Sequence, residues 1–258
     1  MAKRKAASPP IDTGAFLSQV THHLRAPVAV SRTMLSLLSQ GYVGKMDLQQ
    51  VDLVRRVEAR MAYLQTLVDD LVDLASIRTG MADAGGPAAL GVLVRDVCAR
   101  FEPAARAKGL ELGLASPTAS VLVSAASGLL DPLVTQLVRN AVTYSTSGTV
   151  RVSIEQDSRF ARLVVADEGI GIPADNRANV FEEFFRAANA KALEELGTGL
   201  GLPIVRAVAC RAGATIELES AEGRGTTIAV LLPLTAAASR STMRRRAREE
   251  EGARWPRS

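Results

Sequence analysis

Residues 197–205 read GTGLGLPIV. Three glycines at alternate positions, Gly197, Gly199 and Gly201, run directly into a helical pattern of Leu202, Val205, Val208 and Ala209. A glycine-rich turn entering a helix presents free backbone N–H groups with no side chain in the way, and that arrangement suits phosphate. One such cluster is compatible with an ordinary turn. The chain carries two more, DEGIGIP (167–173) upstream and EGRGTT (222–227) downstream, and an amide-bearing segment, RNAVTYS (139–145), precedes all three. Their joint occurrence in this order is much harder to produce by chance.

The sequence around these clusters mixes helical and extended patterns. GVLVRDVCARFEPAARAKG (91–109) and LLDPLVTQLVRNAVTYS (129–145) have helical period. LELGLA (110–115), SVLVSA (120–125), TVRVSIEQ (149–156), FARLVVADEG (160–169), ATIELES (214–220) and TTIAVLLP (226–233) read as strands between polar turns. Strands interspersed with helices that do not strictly alternate predict an α+β sandwich, with helices covering one face of a mixed sheet.

Toward the N-terminus the period becomes purely helical. Phe16, Val20, Leu24, Pro27, Val30, Met34 and Leu38 lie on one stripe of a helix predicted over 13–39. QGYVGKMD (40–47) breaks it, and a second stripe runs through Val51, Val54, Val57, Met61, Leu64, Val68, Leu71 and Leu74 to Gly80, a residue suited to a helix C-terminus. Two long helices joined by a short turn form an antiparallel hairpin. Each has one apolar face, so pairing two hairpins into a four-helix bundle covers what one leaves wet, and a homodimer is expected. MADAGGPAALG (81–91) reads as a linker. The expected order is a basic leader (1–12), the hairpin (13–80), the linker (81–91), the α+β domain (92–234) and a basic tail (235–258).

Bulk properties narrow the class. At 258 residues, 47% hydrophobic with aromatics at only 4%, the chain can build a sizeable core mainly from Leu, Val, Ile and Ala. No apolar run reaches the roughly 18 to 20 residues that span a bilayer, and MAKRKAASPP (1–10) lacks a signal-like apolar stretch, so a soluble, cytoplasmic protein without a membrane span is expected. Cys98 and Cys210 sit in apolar surroundings far apart in sequence, and buried free thiols are expected. Most of the +4 net charge lies in the tails, such as RRRAREEEGARWPR (244–257). Such blocks are ordinarily solvated, and with no aromatic interleaving no nucleic-acid partner is expected.

From Asp12 to Leu234 the chain resembles the transmitter core of sensor histidine kinases. FLSQVTHHLRAPV (16–28) resembles the family's H-box, LVTQLVRNAVTYS (133–145) its N-box, DEGIGIP its G1 box, VFEEFFRA (180–187) its F-box, GTGLGLPIV its G2 box and GRGTTIAVLLP (223–233) its G3 box and last strand. The resemblance implies a dimerisation and phosphotransfer hairpin followed by a Bergerat (GHKL) ATP-binding domain. It implies autophosphorylation from ATP with Mg²⁺, and transfer to an aspartate of a separate response regulator. His22 and His23 are the only histidines in the chain. The family's acceptor stands five residues before the H-box proline, which selects His22, and the apolar stripe leaves His22 facing outward. By the same resemblance Asn140 ligates Mg²⁺, Asp167 accepts from the adenine amino group and Thr226 supports the adenine end. Gly169 and Gly171 admit the base, Gly197, Gly199 and Gly201 let the lid backbone wrap the phosphates, and Arg186 contacts phosphate.

Four positions depart from the family pattern. His23 replaces the acidic residue beside the acceptor, and Ala26 replaces the Thr or Asn that holds water for dephosphorylating the regulator. Gln136 replaces an N-box Asn and Thr143 a Lys expected near the phosphates. Two other functions therefore stand beside the kinase: an ATP-binding pseudokinase or scaffold dimer, and a GHKL-type protein serine kinase, against which the hairpin bearing His22 argues. No input domain is legible ahead of the first helix, so a separate sensor or input protein, or a longer parent chain, is expected.

Overall fold

The computed structural model describes residues 27–42, 44–83, 85–115, 121–193, 197–236 and 238. They fall into two compact units that divide after Met81, and each is described by itself.

In the first unit, α1 is helical over 27–39 of the described residues and α2 spans Leu48–Thr79. Asp47 starts α2 with a capping box: its carboxylate accepts the Gln50 N–H at 2.8 Å, and the Gln50 side chain accepts the Asp47 N–H at 3.0 Å. Reciprocal bonding of this kind satisfies donors that a helix N-terminus otherwise leaves open. Gly80 closes the helix in the left-handed region, at φ 83°, as the sequence predicts. Arg32 donates to Gln65 at 2.6 Å and Ser39 to Glu58 at 3.1 Å, so the two helices are joined side by side. Leu74 and Ile77 are buried, whereas Val30, Met34, Leu37, Leu53, Leu64 and Leu71 stay exposed, Met34 at 62%. The apolar stripes thus carry more surface than one hairpin covers.

The second unit is the α+β domain. After a 3-10 turn (Met81–Asp83) come β1 (Pro87–Ala89), α3 (Leu90–Ala107), β2 (Glu111–Ala115), β3 (Leu122–Ala126), α4 (Ser127–Tyr144), β4 (Thr149–Gln156) and β5 (Phe160–Asp167). A second 3-10 turn (Ala174–Asn176), α5 (Ala188–Ala192), α6 (Gly201–Ala212), β6 (Thr215–Ser220) and β7 (Thr226–Pro233) complete it. The main sheet has five strands in the order β2-β4-β5-β7-β6, with β2 parallel to β4 and the other neighbours antiparallel. This is the mixed sheet expected. Its core is aliphatic: Val150, Val152, Leu163, Val230 and Leu232 from the strands and Leu130, Leu133, Leu137, Ile204 and Val208 from α4 and α6. Lys108, just past α3, donates to the Val142 and Thr143 carbonyls at 3.3 and 3.0 Å and so caps the C-terminal end of α4.

Three expectations are corrected. The stretch read as a linker is partly ordered structure, because β1 pairs antiparallel with β3 and Leu90 already opens α3, its N–H bonded to Val121 at 3.0 Å. Past Leu234, Thr235 remains tied to the domain through its N–H to the Leu122 carbonyl at 3.1 Å. Cys98 is buried but Cys210 is exposed. The buried face of α6 runs through Ile204, Val205, Val208 and Ala209, and Cys210 shares the opposite side with Arg206, one turn earlier.

Candidate nucleotide site

Asp167, Thr226 and Ser220 lie in one row at the ends of three neighbouring strands. Asp167 of β5 is in register with Thr226 of β7, and Thr226 with Ser220 of β6. Directly opposed residues of neighbouring strands share a face, so the three side chains form one polar strip. Asp167 Oδ1 accepts two backbone N–H groups, from Gly169 at 2.9 Å and Thr226 at 3.2 Å. Among the described residues nothing donates to Oδ2. Burial raises the Asp167 carboxyl above its ordinary value of 3.8, and the two backbone donors oppose that rise. The result is a fixed carboxylate with one oxygen held by the protein and the other available to a ligand's N–H.

The glycines beside Asp167 have local reasons of their own. At Gly169 a Cβ would strike the Tyr144 carbonyl and lie 2.8 Å from Asp167 Oδ1. At Gly171, with φ 62°, it would strike the Ala221 carbonyl. DEGIGIP is therefore threaded between the end of α4 and the β6–β7 turn. The Ile170 N–H donates to Tyr144 at 3.1 Å on one side, and the Ile170 carbonyl accepts from Gly223 at 2.8 Å on the other.

The amide residues face the second glycine cluster. A Cβ on Gly201 would lie 2.9 Å from Gln136 Oε1 and 3.2 Å from each amide atom of Asn140. Gln136, one turn before Asn140 on α4, is 2% exposed. The departure at 136 thus preserves an amide exactly where α4 meets the first turn of α6. Asn140 offers an amide oxygen, the hard ligand type that Mg²⁺ takes, and the missing Cβ of Gly201 leaves that amide uncrowded.

Residues 184–190 and 197–199 are tied to their surroundings. A Cβ on Gly197 would sit 2.6 Å from the Tyr144 hydroxyl and 3.4 Å from Arg186 Nε. Gly199, at φ 72°, packs on the Phe184 backbone and accepts its N–H at 3.0 Å. Phe184 itself has φ 61°, the one non-glycine positive φ among the described residues, and its ring is exposed. A non-glycine residue held there marks a locally over-determined backbone. Arg186 Nη2 donates to the Ala190 carbonyl at 2.7 Å, in addition to lying beside Gly197. Asn189 Nδ2 donates to the Gly171 carbonyl at 3.0 Å, which joins α5 to DEGIGIP.

The structure thus gathers Asp167, Gly169, Gly171 and Thr226 at one end of the site, and Asn140, Gly201, Gly199, Gly197 and Arg186 around the start of α6. Sequence reading missed Ser220 and Asn189. Strand alternation could have aligned Ser220 with Thr226, but nothing in ANA (188–190) signals a link to Gly171. His22, His23 and Ala26 lie outside the described residues.

Comparisons with known proteins agree with this anatomy. Residues 12–80 match the His Kinase A (phospho-acceptor) domain, and residues 126–236 match the histidine kinase-, DNA gyrase B- and HSP90-like ATPase domain. The sensor-like histidine kinase SenX3 of Mycolicibacterium smegmatis is 32% identical over 225 residues, covering 84% of this chain and 56% of that protein. MprB of Mycobacterium tuberculosis, a signal transduction histidine-protein kinase/phosphatase, is 35% identical over 228 residues, covering 84% of this chain and 44% of that protein. The chain therefore spans about half the length of these curated relatives. Full-length ShkA, crystallised in complex with AMPPNP, superposes with a TM-score of 0.61 at 26% identity, over 86% of this chain and 46% of that one. A phospho-acceptor hairpin followed by an ATPase domain of this type places the chain in the sensor histidine kinase family, as a transmitter core.

Proposed function

We propose that the protein autophosphorylates on His22 from ATP and passes the phosphoryl group to an aspartate of a separate response regulator. The reading is carried by the half-occupied Asp167 carboxylate, whose Oδ1 is held by Gly169 and Thr226 while Oδ2 can accept an exocyclic amino group such as that of adenine. The solved ShkA complex, which holds an adenine nucleotide analogue, supports it.

An imidazole has an ordinary pKa of about 6.5, so His22 is mostly neutral near pH 7 and carries a free nitrogen lone pair. That nitrogen attacks the γ-phosphorus, a P–N bond forms, and the bond to the β,γ-bridging oxygen breaks as ADP departs with the electron pair. The ring proton passes to a base, a role assigned here to His23. In the second step a carboxylate oxygen of the regulator attacks phosphorus and the P–N bond breaks, its electron pair staying on the His22 ring, which takes back a proton and leaves as neutral imidazole. Asn140 would hold Mg²⁺, which when bound neutralises phosphate charge. Gly197, Gly199 and Gly201 present backbone to the phosphates, with Arg186 beside them.

Dimerisation through the hairpin belongs to the same reading. The exposed row of Val30, Met34, Leu37, Leu53, Leu64 and Leu71 supports it, because a second copy would bury apolar surface that one hairpin leaves in water. No helix among the described residues is long and apolar enough to cross a membrane. Signal input is assigned to a separate sensor protein or to further parts of a longer chain, and a cytoplasmic site of action follows from the use of ATP.

The test is incubation with γ-labelled ATP and Mg²⁺ followed by acid treatment of the labelled protein. Acid-labile, base-stable label is expected. Acid-stable label would instead indicate a serine kinase, and nucleotide binding without label a scaffold.

A further inference from the structure

β6 is an outer strand of the five-stranded sheet, and its far side has no neighbouring strand among the described residues. Beside it an open groove of about 360 Å³ runs between β6 and α6, lined by Phe181, Ala209, Cys210, Ile216 and Leu218, with Arg206 on its helical wall. The edge is closed at both ends. The Ala214 N–H is taken by the Ala209 carbonyl at 2.8 Å, and the Ser220 hydroxyl accepts the Ile172 N–H at 2.8 Å. The open stretch is therefore Ile216 to Leu218.

The phase of the β6–β7 ladder decides what that stretch presents. Directly opposed residues of an antiparallel pair alternate between exchanging both backbone bonds and exchanging none. The Ala221 N–H donates to the Gly225 carbonyl at 3.4 Å, so Ser220 and Thr226, the next pair inward, exchange none. Counting on, Glu219, Glu217 and Thr215 bond to β7, whereas Leu218 and Ile216 do not. The Leu234 N–H bond to the Arg159 carbonyl at 2.8 Å sets the same phase from the other side, because it turns Ile228 and Val230, the partners of Leu218 and Ile216, toward β5. Ile216 and Leu218 thus direct their N–H and C=O groups to the free edge, and no backbone bond to them is found there among the described residues. The same two side chains line the groove, while Glu217 and Glu219 alternate with them on the opposite face and are exposed.

We propose that this edge docks an extended polypeptide segment of a partner protein in which apolar and basic residues alternate. Such a segment adds a strand beside β6, with its backbone bonded to Ile216 and Leu218. Its residues opposite Ile216 and Leu218 point into the groove, where the lining takes apolar side chains and Arg206 repels a cation. Its residues opposite Glu217 and Glu219 point to the other face, where two carboxylates take Lys or Arg. Glu217 also accepts from Arg162 at 3.1 Å, and Glu219 has no ion pair among the described residues. A second copy of β6 fits poorly, because it would set glutamates against glutamates, and edge charges of this kind guard against self-pairing.

The experiment titrates the full chain with a fluorescently tagged, end-blocked peptide of alternating valine and lysine. One comparison peptide replaces lysine by glutamate, and another carries N-methyl groups on the valine amides. Saturable binding of the valine–lysine peptide by wild type is expected, with slowed amide exchange at Ile216 and Leu218. N-methylation is expected to abolish it, since the ladder cannot form. The double variant Glu217→Lys with Glu219→Lys is expected to bind the valine–lysine peptide about tenfold more weakly than wild type and the valine–glutamate peptide more tightly. Opposite changes for two peptides on one preparation are not produced by a partly unfolded variant. Absence of saturable binding, binding indifferent to N-methylation or without slowed exchange at Ile216 and Leu218, or parallel loss of both peptides in the variant would overturn the proposal.

Discussion

Gly201 and Gln136 are in direct contact: a methyl group on the glycine would sit 2.9 Å from the Gln136 side-chain oxygen. Gln136 is buried and Asn140 lies one turn further along α4 on the same side. The helix that presents the Asn140 amide and the helix that begins at Gly201 are therefore set against each other through a missing side chain.

Gly201→Ala is expected to destabilise the ATPase domain by about 1–3 kcal/mol, the usual cost of overpacking, and to weaken ATP binding, because the added methyl group would also lie 3.2 Å from both amide atoms of Asn140. Thermal unfolding and nucleotide titration check the two effects. Binding and stability both unchanged would mean that the α4–α6 contact has slack enough to absorb a methyl group.

Asp167→Asn separates stability from function. The Asn side-chain oxygen can still accept the Gly169 and Thr226 N–H groups, while its NH₂ replaces the acceptor facing the base. ATP affinity is expected to fall about tenfold or more, the cost of a donor set against a donor. Burial raises the native Asp167 carboxyl above 3.8, so the folded state binds more protons than the unfolded state as pH rises past that value. Asp167 therefore subtracts stability as pH rises from 3.8 through its raised folded value, and the charged form keeps that cost above it. The Asn variant should be at least as stable as wild type at pH 7 and should lack this component of the pH profile. A variant clearly less stable than wild type at pH 7 would show that the charge is favourable where it sits.

Most of the second unit is legible in the sequence because its strands alternate. TVRVSIEQ buries Val150, Val152 and Ile154, and FARLVVAD buries Ala161, Leu163 and Val165. β1 is not legible: Pro87, Ala88 and Ala89 lack β-branched or aromatic residues, and they become a strand only because β3 supplies a partner. The glycine clusters announce a site, yet their packing against Tyr144, Ala221 and Phe184 involves residues distant in sequence. The Ser220 hydroxyl is likewise silent until β6 is laid beside β7. The apolar neighbours of Cys210 predict burial, and helical phase overrides that composition.

Asp83 and Arg211 form a two-pronged ion pair, with Arg211 Nε donating to Oδ1 at 3.1 Å and Nη2 to Oδ2, and it ties the turn after α2 to the end of α6. The Arg211 guanidinium holds the Asp83 carboxyl below its ordinary 3.8 through hydrogen bonding and charge. Its contribution is present above pH 3.8 and is lost as pH falls through the lowered folded value. Both side chains are partly exposed, so salt screens the pair. Asp83→Asn is expected to speed amide exchange over Met81–Asp83, and 1 M salt to do the same in wild type. Equal exchange in all three conditions would show that the strand pairing of β1 alone holds this segment.

The two thiols should behave differently. Burial pushes the Cys98 thiol up to about 11, whereas Cys210 is exposed. A thiol reagent at pH 8 is expected to label Cys210 promptly and Cys98 only after unfolding. Peptide mass mapping at short times reads the outcome, and prompt labelling of Cys98 would place it at a more open position.

The central claim is phosphoryl transfer from the ATPase domain to His22. The most direct measurement is acid-labile incorporation from γ-labelled ATP with Mg²⁺ into wild type, His22→Gln and His23→Gln, each first shown to bind ATP equally. The account predicts label in wild type, none in His22→Gln and slower but detectable label in His23→Gln. Label retained in His22→Gln and lost in His23→Gln would contradict it.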